Sequence, residues 1–230
     1  AGGGMRAARL AIPWYVHPAE DPAAWRTLAA VSPRPSFVVA NIHDGPGRPA
    51  DPWYPAALAQ LRSMRVLGYV DVNYGDRAPA AVRDDVLLWL SEHKVGGVML
   101  DRLPATAVST ERCAEYVADA RRAGAGFVAG NPGVEPQLGH LAMLDVTCVF
   151  EGDAGAYAEF RPSPGLSRVP RSRVWHLVHG CPPAELTATA DRAGRIGAGH
   201  AFVTDRTMPH PWGGFPLSWE WTAAGGGQPT

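Results

Sequence analysis

Short apolar runs alternate with helical stretches along the whole chain. Each run is rich in β-branched or aromatic residues and ends in polar residues, whereas the intervening segments place apolar side chains at helical spacing. The runs predicted as strands are Leu10–His17, Ser36–His43, Val66–Asn73, Val95–Arg102, Gly126–Asn131, Val146–Gly152, Val174–His179 and His200–Asp205. Such alternation favours parallel strands joined by right-handed helical crossovers. Eight units in 230 residues predict an α/β fold, a single-domain (β/α)₈ TIM barrel.

The helices are predicted from their start and stop signals. The predicted helices are Ala23–Ala30, Trp53–Met64, Ala78–His93, Ser109–Ala123 and Pro182–Ala193, with a short one inside Val134–Leu144. Asp21 and Asp51 each precede a proline and are expected to cap the first two helices. Gly124 and Gly194 are expected to end two later ones, because glycine adopts the left-handed closing conformation.

An open doubly wound sheet is the structural alternative. It would carry a glycine-rich phosphate loop after the first strand, where this chain has His17-Pro18-Ala19-Glu20. We expect the barrel to span residues 9–222. The glycine-rich ends, residues 1–8 and 223–230, are expected to be flexible tails.

Composition narrows the classes of partner. The net charge of −1 offers no field that would attract nucleic acid or an anionic membrane, and the apolar runs are shorter than the ~20 residues of a membrane span. The three cysteines are widely spaced and are expected to be buried free thiols. No cofactor is predicted. No secretory signal is visible in the sequence as given, and the cellular location and oligomeric state stay open.

Polar residues at the strand ends mark the candidate site, because the site of such a barrel lies at the C-terminal ends of its strands. Asp101 and Glu151 stand out, since each directly follows a compact apolar strand. Alternation places Asp101 on one face with Met99, and Glu151 on one face with Thr147 and Val149, both taken as inward. Strands four and six contribute to the same layer, so the two carboxylates are expected to face each other across the barrel mouth.

Two opposed carboxylates suit glycoside hydrolysis, in which one is protonated and assists the leaving oxygen while the other meets the developing oxocarbenium ion. Aromatic and polar residues near the strand ends are expected to bind the sugar, since aromatic rings stack on apolar sugar faces. The predicted substrate-binding residues are Tyr15, His17, Asn41, Tyr69, Asp71, Tyr74, Arg102, Asn131, His176, Asp205 and Trp212. Two alternatives remain open: structural carboxylates paired with arginines, and a metal-dependent hydrolase.

The metal alternative rests on histidines and aspartates at the strand ends, which offer nitrogen and oxygen ligands. The spacing argues against it, because the chain has no HExxH motif and no HxH on the first strand. His176 and His179 are three residues apart on a strand and are expected to point to opposite faces. No metal site is therefore predicted.

An ordered set of sequence blocks resembles spherulation-specific family 4, the spherulin-4 family. The blocks are Ile12-Pro13-Trp14-Tyr15-Val16-His17-Pro18, Gly45-Pro46-Gly47, Asp51-Pro52-Trp53-Tyr54, Leu67-Gly68-Tyr69-Val70, Tyr74-Gly75-Asp76-Arg77, Gly97-Val98-Met99-Leu100-Asp101, Asn131-Pro132-Gly133 and Val149-Phe150-Glu151. The resemblance implies a (β/α)₈ glycosidase fold and endo-cleavage of α-1,4-linked galactosamine or N-acetylgalactosamine polymers. It matches Asp101 and Glu151 to the family's catalytic aspartate and glutamate.

The chain departs from the family pattern at Arg102, where the resemblance implies a further catalytic glutamate. Arginine has the opposite charge and does not shuttle protons near neutral pH. Either the barrel binds sugar without cleaving it, or Arg102 holds a neighbouring carboxylate ionised and Glu151 serves as the acid. The segment Asn41-Ile42-His43-Asp44 also lacks a proline expected after Asn41.

Overall fold

Eight parallel strands close into a barrel in which each strand pairs with the next and the last pairs with the first. The computed structural model describes residues 7–218. The strands are β1 (Arg9–Trp14), β2 (Phe37–Ala40), β3 (Val66–Asp71), β4 (Gly97–Asp101), β5 (Phe127–Asn131), β6 (Val146–Asp153), β7 (Val174–His179) and β8 (His200–Val203). Closure confirms the predicted (β/α)₈ class and excludes the open sheet.

Helices connect the strands on the outside of the barrel. They are α1 (Pro22–Ala30), α2 (Tyr54–Ala59), α3 (Pro79–Ser91), α4 (Thr110–Arg122), α5 (Leu138–Met143), α6 (Ala154–Glu159) and α7 (Leu186–Arg195). Short 3₁₀ turns cover Asn73–Gly75, Ala107–Ser109, Leu166–Arg168, Arg171–Arg173 and Pro183–Glu185. No helix within residues 7–218 is long and apolar enough to cross a membrane.

Two predicted helix ends are wrong. The second helix, expected to reach Met64, ends at Ala59 and continues as three-residue turns, with Leu61 N–H donating to Leu58 O and Met64 N–H to Leu61 O. Gly194 lies buried inside α7 and does not end it. The left-handed glycine after that helix is Gly197, with a φ of 102°.

The two predicted capping aspartates have different roles. Asp21 caps α1, because its Oδ1 accepts the Ala24 N–H at 2.9 Å. Asp51 does not cap α2, whose N-cap position is Trp53. The carboxylate of Asp51 instead joins the loops after β1 and β2, as the site geometry shows below.

Aromatic side chains fill the barrel interior towards its N-terminal end. Phe37 of β2 packs against Trp175 of β7 and Phe127 of β5, with ring centroids 4.9 and 5.9 Å apart. The Trp175 indole also donates to the Ala11 carbonyl at 3.2 Å, so this tryptophan is core. The three cysteines are free and buried, as predicted.

The ordered fold starts earlier than predicted. Ala8, assigned above to a flexible tail, is only 5% exposed and packs in the core, and the Arg9 N–H donates to Gly199 O at 2.8 Å. Burial of Ala8 corrects the N-terminal boundary. Apart from Ala7, the rest of that N-terminal tail lies outside the described residues. The predicted C-terminal tail and the predicted boundary at residue 222 also lie outside them.

Gly68 gives Trp89 of α3 room to pack directly on β3. The Trp89 indole donates to the Tyr69 carbonyl at 2.7 Å, and a Cβ on Gly68 would lie 2.2 Å from the indole ring. We expect Gly68→Ala to lower the free energy of unfolding by about 2 kcal/mol through overpacking. Urea denaturation measures the change. Gly96→Ala is the control, because its Cβ would have no atom within 4 Å; equal stability of the two variants would contradict the prediction.

Candidate functional site

A β-bulge turns Glu151 into the barrel. Cys148 pairs with the inward Trp175, but the register between β6 and β7 then shifts, so that Phe150 pairs with His176 and Glu151 with Leu177. Glu151 therefore shares the inward face with Cys148, and the predicted face with Thr147 and Val149 is wrong. The additional residue of the bulge reverses the alternation. Without it, Glu151 would point to the helices.

Asp101 ends β4 and points inward as predicted, beside Asn131 at the end of β5. Tyr69 donates its hydroxyl to Asp101 Oδ2 at 2.7 Å. Burial raises the pKa of Asp101 to about 6; the Tyr69 hydrogen bond opposes this rise and the nearby Glu151 charge adds to it. About half of the Asp101 carboxyl groups therefore still carry a proton at pH 6, where an ordinary aspartate is ionised, and a general acid needs such a proton.

Glu151 is held by one donor on each oxygen. Asn131 Nδ2 donates to Oε2 at 2.9 Å, and Trp212 Nε1 donates to Oε1 at 3.1 Å. Asn131 is 4% exposed and its Oδ1 accepts the Gly133 N–H at 2.8 Å, so its amide is used inside the protein. Asn131 therefore positions Glu151 and the Gly133 turn, and its predicted contact with substrate stays a prediction.

Tyr15 lies close to both carboxylates. Burial raises the pKa of its phenol well above the usual value, and the charges of Asp101 and Glu151 raise that pKa further. Its ring meets Tyr69 edge to face, with centroids 5.8 Å apart. The two carboxylates thus share one electrostatic environment at the barrel mouth, as their strand positions predicted.

An open cavity of about 970 Å³ lies over this end of the barrel. Its walls include five of the predicted residues, which are Tyr15, His17, Asn41, Glu151 and Trp212. Asn41 Oδ1 is buried in the wall, and no donor within residues 7–218 reaches it. An unpaired buried acceptor costs about 1–3 kcal/mol of stability.

Three further predicted residues form a separate cluster on the rim above β3 and β4. The Arg102 guanidinium binds the Asp71 carboxylate through both its Nε, at 2.8 Å from Oδ1, and its Nη2. The Arg102 guanidinium carbon also lies 5.6 Å from the centre of the exposed Tyr74 ring. The carboxylate that Arg102 keeps ionised is therefore Asp71, and the hydrogen bond from Arg102 lowers the pKa of Asp71. The hypothesis that Arg102 keeps a catalytic carboxylate ionised is wrong.

Two predicted substrate-binding residues lie elsewhere. His176 is fully buried outside the strand barrel, where its Nδ1 is 2.7 Å from the Tyr157 hydroxyl of α6. The residue of β7 that does line the cavity is His179, in ring contact with Trp212 at 6.0 Å. Asp205 uses both carboxylate oxygens to accept the N–H groups of Leu217 and Ser218. Its role is to hold the loop after β8.

His179 could have been found from the sequence, because it is the polar residue that ends the predicted strand Val174–His179. His176 and His179 do point to opposite faces, as expected. Asp51 and Trp53 were not predicted as site residues at all. Their proximity to the site depends on the path of the loop after β2, which local patterning does not encode.

His17, His43 and Asp51 form the group within residues 7–218 that comes nearest to a metal site, with ligand atoms within 4.8 Å of one another. Both histidine Nε2 atoms contact Asp51 Oδ2, at 2.8 and 2.9 Å. The Ala19 N–H donates to His17 Nδ1, which places the proton of that ring on Nε2. His17 thus donates to Asp51, and as it stands its Nε2 has no lone pair for a metal.

Tyr69→Phe tests the source of the Asp101 pKa. The phenol hydrogen bond favours the ionised carboxylate, so its removal is expected to raise the Asp101 pKa above its wild-type value of about 6. Titration of a ¹³C-labelled Asp101 carboxyl by NMR measures this shift. Tyr74→Phe, which does not touch Asp101, should leave the pKa in place. A lower or unchanged pKa in Tyr69→Phe would contradict the prediction.

A closed (β/α)₈ barrel with two inward carboxylates beneath an open cavity at its C-terminal face belongs to the class of barrels that carry a ligand site at the strand ends. A family model described as spherulation-specific family 4 matches residues 9–224. The chain belongs to that family, which confirms the resemblance found in the sequence.

Individual relatives agree with this assignment. Spherulin-4 of Physarum polycephalum is 30% identical over an alignment of 156 residues, which covers 64% of this chain and 46% of that protein. The crystal structure of Aspergillus clavatus Sph3 in complex with GalNAc is similar with a TM-score of 0.80 and 25% identity, over 93% of this chain and 95% of that one. The crystal structure of a class V chitinase from Pseudomonas fluorescens Pf-5 is similar with a TM-score of 0.52 and 14% identity, over 75% of this chain and 69% of that one. This similarity concerns the fold alone.

Proposed function

We propose that this chain is a carbohydrate-active barrel, and specifically a glycoside hydrolase that cleaves within α-1,4-linked galactosamine or N-acetylgalactosamine polymers. The observation that carries the proposal is the unlike pair of carboxyl groups at the barrel mouth, where Glu151 lines the cavity and Asp101 lies beside it, outside the lining residues. Asp101 is still about half protonated at pH 6, whereas Glu151 is anchored by two N–H donors. A protonated carboxyl and an anchored carboxylate are the two groups that glycosidic cleavage requires.

In this mechanism Asp101 donates its proton to the oxygen of the leaving sugar. Glu151, as the carboxylate, stabilises the positive charge that develops on the sugar ring while its bond to that oxygen breaks. Water then adds its hydroxyl to the anomeric carbon, and the proton of that water returns to Asp101. Asn131 and Trp212 restrain the two oxygens of Glu151, so little reorganisation is needed at the moment of reaction. This assigns the acid to Asp101, in place of the alternative in which Glu151 is the acid.

The sugar class is supported by the similar protein Sph3, whose structure is a complex with GalNAc. The cavity itself suits a polar, ring-shaped ligand, because its walls combine aromatic rings with polar side chains such as His17 and His179. An open cavity of about 970 Å³ also leaves room for a chain to enter and leave, as endo-cleavage requires.

Arg102 motivates the second candidate, a barrel that binds the same polymer without cleaving it. The family glutamate is absent, and the arginine in its place is engaged with Asp71 at the rim. Incubation of the purified chain with acetylated and deacetylated α-1,4-galactosamine polymer separates the two functions. Release of oligosaccharides, seen by mass spectrometry, supports the hydrolase. Binding in calorimetry without any release would support the second candidate, and neither binding nor release would reject both.

A further inference from the structure

A second cavity continues the site away from the carboxylate pair. It has a volume of about 420 Å³ and is lined by the loop 48–53 together with His17 and His43. The same two histidines line the main cavity. The two cavities therefore adjoin at His17 and His43. Trp53 stands in the wall of the second one, with 59% of its surface exposed.

The loop that carries Trp53 is tied to the ends of two strands through Asp51. The Trp53 N–H donates to Asp51 Oδ1 at 3.0 Å, while Oδ2 contacts His17, which follows β1, and His43, which follows β2. This Trp53 hydrogen bond, together with those of the histidines, lowers the pKa of Asp51 to about 2. The carboxylate thus stays ionised over the neutral range and keeps the loop attached to the barrel.

A tryptophan side chain exposed at this position is energetically unfavourable unless a bound molecule covers its ring. Its indole carries one of the largest apolar surfaces of any side chain, and leaving most of it in water forgoes part of a burial energy of about 25 cal/mol per Å². The neighbouring Tyr54, the first residue of α2, is 3% exposed and packs against Trp25. The fold thus buries one aromatic ring of this pair and presents the other to the cavity.

We propose that Trp53 is a distal platform on which a sugar of the polymer stacks after the chain has passed His17 and His43. This inference rests on the proposed function and extends it: the site recognises a long amino-sugar chain, with one contact remote from the carboxylate pair. An aromatic face pairs well with the apolar face of a sugar ring, and the surrounding loop leaves the sugar hydroxyls in water. Binding energy gained here selects long chains over short ones.

The test compares Trp53→Ala with wild type on long polymer and on a trisaccharide, by initial rates and by calorimetry. We expect Trp53→Ala to raise KM and Kd for the long polymer by about tenfold, equivalent to about 1.4 kcal/mol, and to leave both unchanged for the trisaccharide. Trp53→Tyr keeps a stacking ring and should recover most of the loss. Leu87→Ala, which removes another exposed apolar side chain on α3, is the control.

Failure of this inference is distinguishable from failure of the proposed function. If wild type cleaves the polymer and Trp53→Ala behaves like Leu87→Ala, the platform is rejected while the hydrolase stands. If wild type binds but does not cleave, the calorimetric comparison alone decides on the platform, and an equal Kd for wild type and Trp53→Ala rejects it. Sedimentation that shows wild type as a dimer and Trp53→Ala as a monomer would assign the exposed ring to self-association and also reject it.

Discussion

Glu151→Gln is expected to lower the rate of polymer cleavage by about a thousandfold, the scale on which a positioned carboxylate contributes to such reactions. Glutamine retains the size of the side chain but not the negative charge that meets the oxocarbenium ion. Initial rates of reducing-end release on α-1,4-galactosamine polymer measure the loss. Calorimetry on the same variant should still detect polymer binding, because the cavity walls are unchanged.

The substitution Glu151→Gln also changes the hydrogen bonds of this side chain. Both neighbours of Glu151, Asn131 and Trp212, are N–H donors, so the NH₂ of glutamine must face one of them and one hydrogen bond is lost. Thermal unfolding of the variant therefore accompanies the kinetics. Glu159→Gln, at an exposed position at the end of α6, is the matched control. A Glu151→Gln protein that is folded and cleaves as fast as this control would contradict the assigned role.

Asp101→Asn is expected to abolish cleavage to a similar degree and, at the same time, to stabilise the fold at alkaline pH. Folding raises the pKa of this carboxyl from 3.8 to about 6, so the native protein binds more protons than the unfolded chain between these values. Stability therefore falls as the pH rises through this window, and the penalty is complete above it. Asparagine removes the penalty, which amounts to at most about 3 kcal/mol for a shift of this size.

Urea denaturation at pH 3 and pH 8 measures the effect. Asp101→Asn should match wild type at pH 3 and exceed its unfolding free energy at pH 8. Asp84→Asn, at an exposed position on α3, keeps Asp101 and should follow the stability of wild type at both pH values. In wild type, cleavage should decline as the pH rises through about 6, because the general acid loses its proton. Equal stability of wild type and Asp101→Asn at pH 8 would show that the buried carboxyl carries no penalty.

Loss of cleavage in both variants, with binding retained, would support the two carboxyl roles. A gain of alkaline stability in Asp101→Asn alone would separate the buried proton-bearing group from the anchored one. The structure gives the physical reason for the difference. Burial outweighs the hydrogen bonds that Asp101 accepts from the Tyr69 phenol and the Arg102 backbone, whereas Glu151 accepts an N–H on each oxygen.

The order of elements could be predicted because strands and helices leave local signals. The period of the apolar residues distinguishes the two, and residues such as Asp21 and Gly124 mark helix boundaries. Each prediction needed only a few neighbouring residues. The same is true of Asp101, since simple alternation along an undisturbed strand places it inward with Met99. Errors at the ends of α2 and α7 arose where several residues could serve as the terminus.

The sequence by itself determined the eight strands, six of the seven helices within residues 7–218, the family and the candidate carboxylate pair, but it did not predict α6. Only the tertiary structure decided in which direction the side chains of the site point and which residues they contact. The bulge in β6 reverses the direction of Glu151, Arg102 turns to Asp71, and Asp51 joins His17 and His43. The reason is physical: each of these arrangements is set by a partner on another strand or loop, and its energy exists only after the barrel has closed.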